Sequence, residues 1–334
     1  MAYFLLNNMY HLYILKCADG TLYTGITTDL DRRLVEHNNN KLGAKYTSAR
    51  RPVELLASWK FKNRSLASKE EARIKKLSRT EKLELMKVMP KNNLENLRKE
   101  ILKLKNPAKA KILMRFFKTG KGEYGEGDKF LGIVMPKLRG LVKEYWKDLK
   151  ITEIEKLLKS GFHEERMIAL LLLVKKFETG EEQDPSTGSI SSGQGKIFKL
   201  YLKNMKFINN WDLVDLTAPN IVGEYLKDKD RKVLYKLAKS KNLWEKRISI
   251  LATFQFIKNK DPKDTLKISE MLLQDDQDLI HKAVGWMLRE VGKKCGEGIE
   301  EKFLQKHVKK MPRTMLRYAI ERFPEKKRQF YLKK

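Results

Sequence analysis

The chain has little cysteine. Cys17 and Cys295 are its only two, far apart and in unrelated contexts. That excludes a disulfide framework and a zinc-spaced thiol cluster, and favours a reducing intracellular compartment. No apolar run approaches the roughly 20 residues needed to cross a bilayer. The start, MAYFLLNNMY, lacks the basic region and long apolar stretch of a secretion signal, and Met9 is a candidate start because patterned sequence follows it at once. Acidic residues are also scarce: 42 Asp and Glu stand against 71 Lys and Arg, leaving a net charge of +29. This deficit points to a polyanionic partner, bound in a way that weakens steeply with salt as counterions are released. It is shared along the chain, with 17 basic against 9 acidic residues up to Met89 and 54 against 33 beyond. At 334 residues and 41% hydrophobic, the chain has material for two folded domains.

The stretch Asn209 to Leu226, NNWDLVDLTAPNIVGEYL, carries the first chemistry. In a helix, Trp211 and Asp215 share one face a single turn apart, Pro219 limits that helix, and Ile221, Val222 and Leu226 begin another. From spacing alone Trp211 reads as core and Asp215 as a cap or solvated charge. Downstream, LWEKRISILATFQF, HKAVGWMLREVGKK and TMLRYAIERF repeat a basic-then-apolar lettering. Taking Trp211, Arg247, Lys282 and Arg317 as equivalent points, the intervals are 36, 35 and 35 residues, a helical repeat. Arg166 is the preceding point, 45 residues upstream of Trp211, and the excess matches a polar insertion, Glu178 to Gly195, expected to be a flexible loop.

The WDLVD run, Trp244 to Arg247, Gly285 to Glu290, FLGIVMPKLRGLVKEY and HEERMIALLLLVKKF occur in an order that resembles the AlkD-type DNA alkylation repair glycosylases. The resemblance covers about Asn92 to the C terminus and implies an all-α solenoid of HEAT-like helix pairs. It also implies release of cationic N3- or N7-alkylated purines from double-stranded DNA, without a cofactor. Such a base is already a good leaving group, so the enzyme's task is to stabilise the oxocarbenium-like sugar. Asp215 is the carboxylate expected to do so or to orient water, with Trp211 and Trp286 packed around the damaged nucleotide. Arg247 is expected on phosphate, because its planar fork suits phosphate oxygens, and Arg166, Lys282 and Arg317 along the backbone.

The N-terminal part is different. His11–Lys16 and Thr21–Ile26 alternate like strands around Ala18-Asp19-Gly20, a hairpin signal. Thr28 or Asp29 can cap a helix placing Arg33 and His37 on one face. Residues 52–61 read as a third strand, and 64–77 and 78–87 as helices. Read singly, the tyrosines are cross-strand packing pairs and Glu71 a salt-bridged helix charge. Jointly, His11-Leu12-Tyr13, Tyr23-Thr24-Gly25, Arg33, His37, AKYTSARRPVEL and Glu71 resemble the small stand-alone branch of the GIY-YIG nuclease superfamily. The glycine and isoleucine of the family's first motif are replaced here, while both tyrosines remain. The resemblance implies phosphodiester hydrolysis, with Tyr13 or Tyr23 orienting or deprotonating water, Arg33 holding phosphate, His37 assisting proton transfer and Glu71 carrying Mg²⁺.

Together these readings predict a small α/β GIY-YIG domain over 1–89 and an all-α HEAT-like solenoid over 90–334, joined at Val88–Asn93, where Pro90 stops a helix. The partner is double-stranded DNA, alkylated or abasic, with no membrane, and the protein is expected to be a cytoplasmic, nucleoid-associated monomer. The expected function is base excision by the solenoid followed by nicking through the N-terminal domain. The alternative is a non-catalytic solenoid that binds branched or damaged DNA and delivers the nuclease.

Overall fold

The computed structural model describes residues 10–39, 42–61, 63–88, 94–180 and 190–333. The candidate start at Met9, residues 89–93 of the connector and 181–189 of the polar insertion lie outside the described residues. The chain divides into two compact units, 1–90 and 91–334.

The first unit runs β1 (Tyr10–Cys17), β2 (Leu22–Thr27), α1 (Leu30–Asn39), α2 (Lys45–Ser48), β3 (Val53–Phe61), α3 (Arg64–Lys75) and α4 (Arg79–Val88). The sheet order is β2-β1-β3, antiparallel throughout, with Tyr13 opposite Gly25 on one side and Ser58 on the other. Strand alternation sorts β1 between two cores. Tyr13, Leu15 and Cys17 pack with Val53, Leu30 and Leu34, whereas Leu12 and Ile14 pack with Ile74, Leu77 and Leu85. Thus α1 covers one face and α3 and α4 the other. The Asp19 carboxylate closes the hairpin by accepting from the Thr21 amide at 3.0 Å and the Thr21 hydroxyl at 2.6 Å. Asp29 accepts the Arg32 amide at 3.0 Å and so caps α1.

Among the described residues of the second unit, the regular elements are helical. They are α5 (Leu94–Lys103), α6 (Pro107–Phe116), α7 (Met135–Tyr145), α8 (Ile151–Leu158), α9 (His163–Thr179), α10 (Ile190–Lys203), α11 (Trp211–Asp215) and α12 (Glu224–Leu226). They continue with α13 (Lys232–Ala238), α14 (Leu243–Ala252), α15 (Phe254–Lys258), α16 (Lys263–Met271), α17 (Asp278–Cys295), α18 (Glu297–His307), α19 (Arg313–Ala319) and α20 (Glu325–Leu332). Packing of α8 on α9, α13 on α14, and α17 on α18 and α19 builds a solenoid with a main core running from Leu97 to Tyr331 and a smaller cluster of Ala110, Phe117 and Phe130 beside it. Each helix buries its apolar stripe only against neighbours, which is what a repeat array requires.

Two local expectations change. Pro219 does not simply separate two helices: α11 ends at Asp215, and Ala218–Gly223 forms a π turn leading into α12. Proline near the start of that turn gives up an amide hydrogen that has no helical partner there. The turn presses on α14 so closely that a Cβ at Gly223 would stand 2.2 Å from the Ala252 carbonyl oxygen. The insertion, expected to be loop from Glu178 to Gly195, is helical at both ends, since α9 reaches Thr179 and α10 begins at Ile190. Gln194 Nε2 donates to the Phe177 carbonyl at 3.2 Å, tying the two helices together.

Candidate functional site

In the first unit the fold gathers Tyr13, Tyr23, Arg33 and His37. Tyr13 and Tyr23 come from paired strands with ring centroids 6.3 Å apart, and the His37 ring lies 5.8 Å from the first and 5.2 Å from the second. One turn of α1 separates Arg33 from His37, so both reach the same phenol. Arg33 Nε donates to the Tyr13 oxygen at 3.3 Å, and that oxygen lies 2.9 Å from His37 Nε2. On the far side of the imidazole, Nδ1 meets the Thr47 hydroxyl of α2 at 2.7 Å. Gly25 makes room for this arrangement, since a Cβ there would lie 2.5 Å from the Tyr13 hydroxyl.

Burial sets the charges. Desolvation pushes the Tyr13 phenol up to about 12, opposed by the Arg33 hydrogen bond. Desolvation and then the Arg33 charge push His37 down to about 4, so the imidazole is neutral near neutral pH. Burial works against the Arg33 charge, but hydrogen bonds with Glu36 and Tyr13 outweigh it and raise the guanidinium's pKa. Glu36 holds Arg33 Nη1 at 2.7 Å. A cleft of about 290 Å³ opens beside Arg33, lined also by Tyr10, Thr28, Arg32 and Arg64. Glu71 lies on α3, paired with Lys75 at 2.8 Å, near enough for its charge to act on Tyr13. Among the described residues no group of three or more His, Cys, Asp or Glu side chains could cage a metal. A single, partly exposed carboxylate fits a magnesium ion that keeps most of its water shell.

In the second unit the repeat points fall on the second helices of successive pairs, but their surroundings differ from those expected. Arg247 is only 5% exposed. Its Nε and Nη2 donate to the two Asp215 oxygens at 2.8 Å each, and Nη1 donates to the Leu279 carbonyl. The guanidinium expected on phosphate is therefore engaged by protein, because the largely buried Asp215 on the adjacent helix demands a counter-charge. Burial raises the Asp215 pKa while Arg247 opposes the rise. Arg166 is corrected in the same way: buried, it donates to Asp128 at 2.7 Å and to the Ser160 carbonyl at 3.2 Å. Lys282 and Arg317 stay at the surface, Lys282 with Asp278 at 2.7 Å.

Trp211 stacks on Phe117, centroids 5.2 Å apart and planes 16° apart, and the Tyr124 hydroxyl lies beside its indole N–H. Tyr124 in turn meets Trp244 edge-on at 6.0 Å. Trp286 has Phe254 as its ring neighbour at 6.2 Å. Beneath Trp211 sits a buried polar hub that the sequence reading missed. His163 Nδ1 lies 3.3 Å from Asp128 and its Nε2 2.9 Å from Asp212, while Asn209 donates to Asp128 at 3.2 Å. Burial would lower the His163 pKa, yet Asp128 and Asp212 overcome it and the pKa is raised. Burial would likewise raise Asp128, but His163 and Arg166 hold it below the usual carboxylate range. The signal was present in HEER, four consecutive polar residues directly ahead of the apolar run Met167–Val174. Glu164 spends its oxygens on the Leu131, Gly132 and Ile133 amides at 2.9, 2.7 and 3.1 Å.

Comparison with known proteins divides the chain at the same place. Residues 97–323 match the family described as DNA alkylation repair enzyme, and residues 9–84 the GIY-YIG catalytic domain. A UPF0213 protein of Syntrophus aciditrophicus is 52% identical over 80 residues, 24% of this chain and 92% of that one. A UPF0213 protein of Halobacterium salinarum is 51% identical over 74 residues, 22% of this chain and 95% of that one. A solved structure described as a predicted DNA alkylation repair enzyme from Enterococcus faecalis superposes with a TM-score of 0.50 and 17% identity, covering 66% of this chain and 97% of that one. At that identity the likeness speaks for the fold alone.

Proposed function

The chain belongs to the DNA alkylation repair enzyme family and carries a GIY-YIG catalytic domain ahead of it, and from this premise we propose that it releases cationic N3- or N7-alkylated purines and then nicks the strand. The observation that carries the first half is Asp215, a largely desolvated carboxylate one turn from Trp211. In the lowered dielectric around it, the negative charge acts strongly on the positive sugar that forms as the glycosidic bond lengthens. The bidentate Arg247 fixes the plane of the carboxylate and leaves each oxygen lone pairs for sugar or water. Trp211, held flat by Phe117 and Tyr124, offers an indole to a cationic base, with Trp286 as the second aromatic wall.

The N-terminal half is supported by the neutral His37 in contact with Tyr13. A neutral imidazole can take a proton, and the phenol oxygen can pass one from water, with Tyr23 beside it orienting the nucleophile. Arg33 steadies the phenol and faces the cleft where a phosphate would lie. Magnesium on Glu71, when bound, supplies positive charge against the phosphoryl oxygens.

The Asp215–Arg247 pair also favours a second reading, in which the carboxylate is neutralised and the solenoid only delivers the nuclease to branched or damaged DNA. One assay separates them. An end-labelled duplex with a single N7-methylguanine is incubated with and without Mg²⁺, then resolved with and without chemical cleavage of abasic sites. Base loss in chelator, abolished in Asp215→Asn, is the expected result; equal base loss in the variant removes Asp215 from the mechanism.

A further inference from the structure

The buried contacts running from α2 to Arg33 favour one assignment of hydrogens. Thr47 Oγ1 lies 2.9 Å from the Ala44 carbonyl, which has no hydrogen of its own, so the hydroxyl donates there. This back-bond to the residue three positions earlier is a habitual one for helical threonine. With its only hydrogen committed, Thr47 can meet His37 Nδ1 at 2.7 Å solely as an acceptor, which places the imidazole proton on Nδ1. Nε2 is then bare and accepts from the Tyr13 hydroxyl at 2.9 Å, while Arg33 donates to the same phenol oxygen at 3.3 Å. The opposite tautomer would aim an N–H at Tyr13, deprive the phenol hydrogen of this acceptor, and force Thr47 to leave Ala44. The Ala44 amide also donates toward Nδ1, and this 3.4 Å contact, the longest at the ring, is the one the assignment gives up. Both His37 and Thr47 are 0% exposed, so bulk water does not restore a lost partner.

We propose that Thr47 is a positioning residue for the nuclease reaction, fixing His37 as the Nδ1–H tautomer so that Nε2 stays open to the Tyr13 proton. The inference rests on the nuclease reading of the N-terminal domain. The step balances: water oxygen bonds to phosphorus as its proton passes to the phenol oxygen, and the original phenol O–H breaks as Nε2–H forms. The leaving oxygen keeps the electron pair of the broken P–O bond and takes a proton from solvent, to which the imidazolium later returns its own. A threonine with the hydrogen bonds reversed would close Nε2 and stop the relay at its first transfer.

The test is ¹⁵N NMR of the labelled full chain, with the His37 nitrogens assigned through His37→Gln, alongside Mg²⁺-dependent nicking of a duplex bearing an abasic-site analogue. Wild type and Thr47→Ser show a protonated Nδ1 and bare Nε2. Thr47→Val moves toward the Nε2–H form and loses about 10²-fold in kcat with little change in KM, as for removal of a general base. A wild-type Nε2–H imidazole overturns the proposal even if no variant folds, and so does a Thr47→Val protein with the wild-type tautomer and rate. Failure of wild type to nick any duplex would overturn the nuclease reading instead, and the wild-type spectrum would still decide the tautomer.

Discussion

Arg247 grips both oxygens of Asp215, Nε on one and Nη2 on the other, each at 2.8 Å. The contact joins residues on neighbouring repeats, α11 and α14, and commits the guanidinium inside the protein.

Arg247→Ala is therefore expected to act on stability before it acts on DNA. Removing the guanidinium strands a buried carboxylate, at a cost of about 3–5 kcal/mol. For a unit of this size that is roughly 6–20 °C in Tm. Calorimetry checks this, and a variant that melts with wild type while its salt dependence of DNA binding flattens would return Arg247 to the phosphate.

Lys282 and Arg317 carry the opposite expectation. Each alanine variant should weaken binding to duplexes of any sequence and reduce the slope of log K against log salt by about one unit. Arg166→Ala, its guanidinium committed to Asp128, should leave that slope unchanged. Titrations at several salt concentrations rank them, and equal slopes for all would mean the DNA lies elsewhere.

His163 gives a pH signature. Its pKa is raised in the folded chain, so the native state binds more protons than the unfolded one across that window. The stabilisation is full below the unfolded value of about 6.5 and is lost as pH rises through the folded value, with a slope of up to about 1.4 kcal/mol per pH unit. His163→Gln should remove this part of the pH dependence. Melting curves from pH 6 to 9 test it, and parallel curves for the two proteins would show that His163 does not change its proton on unfolding.

Gly25→Ala and Glu71→Ala should separate the two activities. The first drives a methyl group into the Tyr13 hydroxyl, 2.5 Å away on the present backbone, and the second removes the carboxylate proposed for magnesium. Both should abolish Mg²⁺-dependent nicking and leave methylated-base release within about twofold of wild type, as expected for independent sites carried on separate units. Normal nicking by Glu71→Ala would take the metal from that residue.

The elements were legible where the signal is local. Asp19-Gly20 between alternating strands gave the hairpin, Asp29 the start of α1, and the spacings of 36, 35 and 35 the helical repeat. Side-chain partners were less so. Arg166 and Arg247 look like phosphate ligands because their lettering recurs, but Asp128 and Asp215, 38 and 32 residues away, claim them first. No short-range pattern encodes that. Thr47 is likewise anonymous in AKYTSARR until α2 folds it under His37, and the π turn at Ala218–Gly223 depends on how closely α14 approaches.

The hub around Asp128 changes how the array should come apart. In an ideal solenoid each repeat touches only its neighbours, so ends fray one unit at a time. Here Asp128 ties a loop ahead of α7 to α9 through Arg166 and His163, and His163 ties on to Asp212 at the start of α11. The Asp128 loop, α9 and α11 are thereby stapled across more than one repeat. The amides of α9 and α11 should exchange with solvent as a single cooperative block, while α19 and α20 open on their own at the far end.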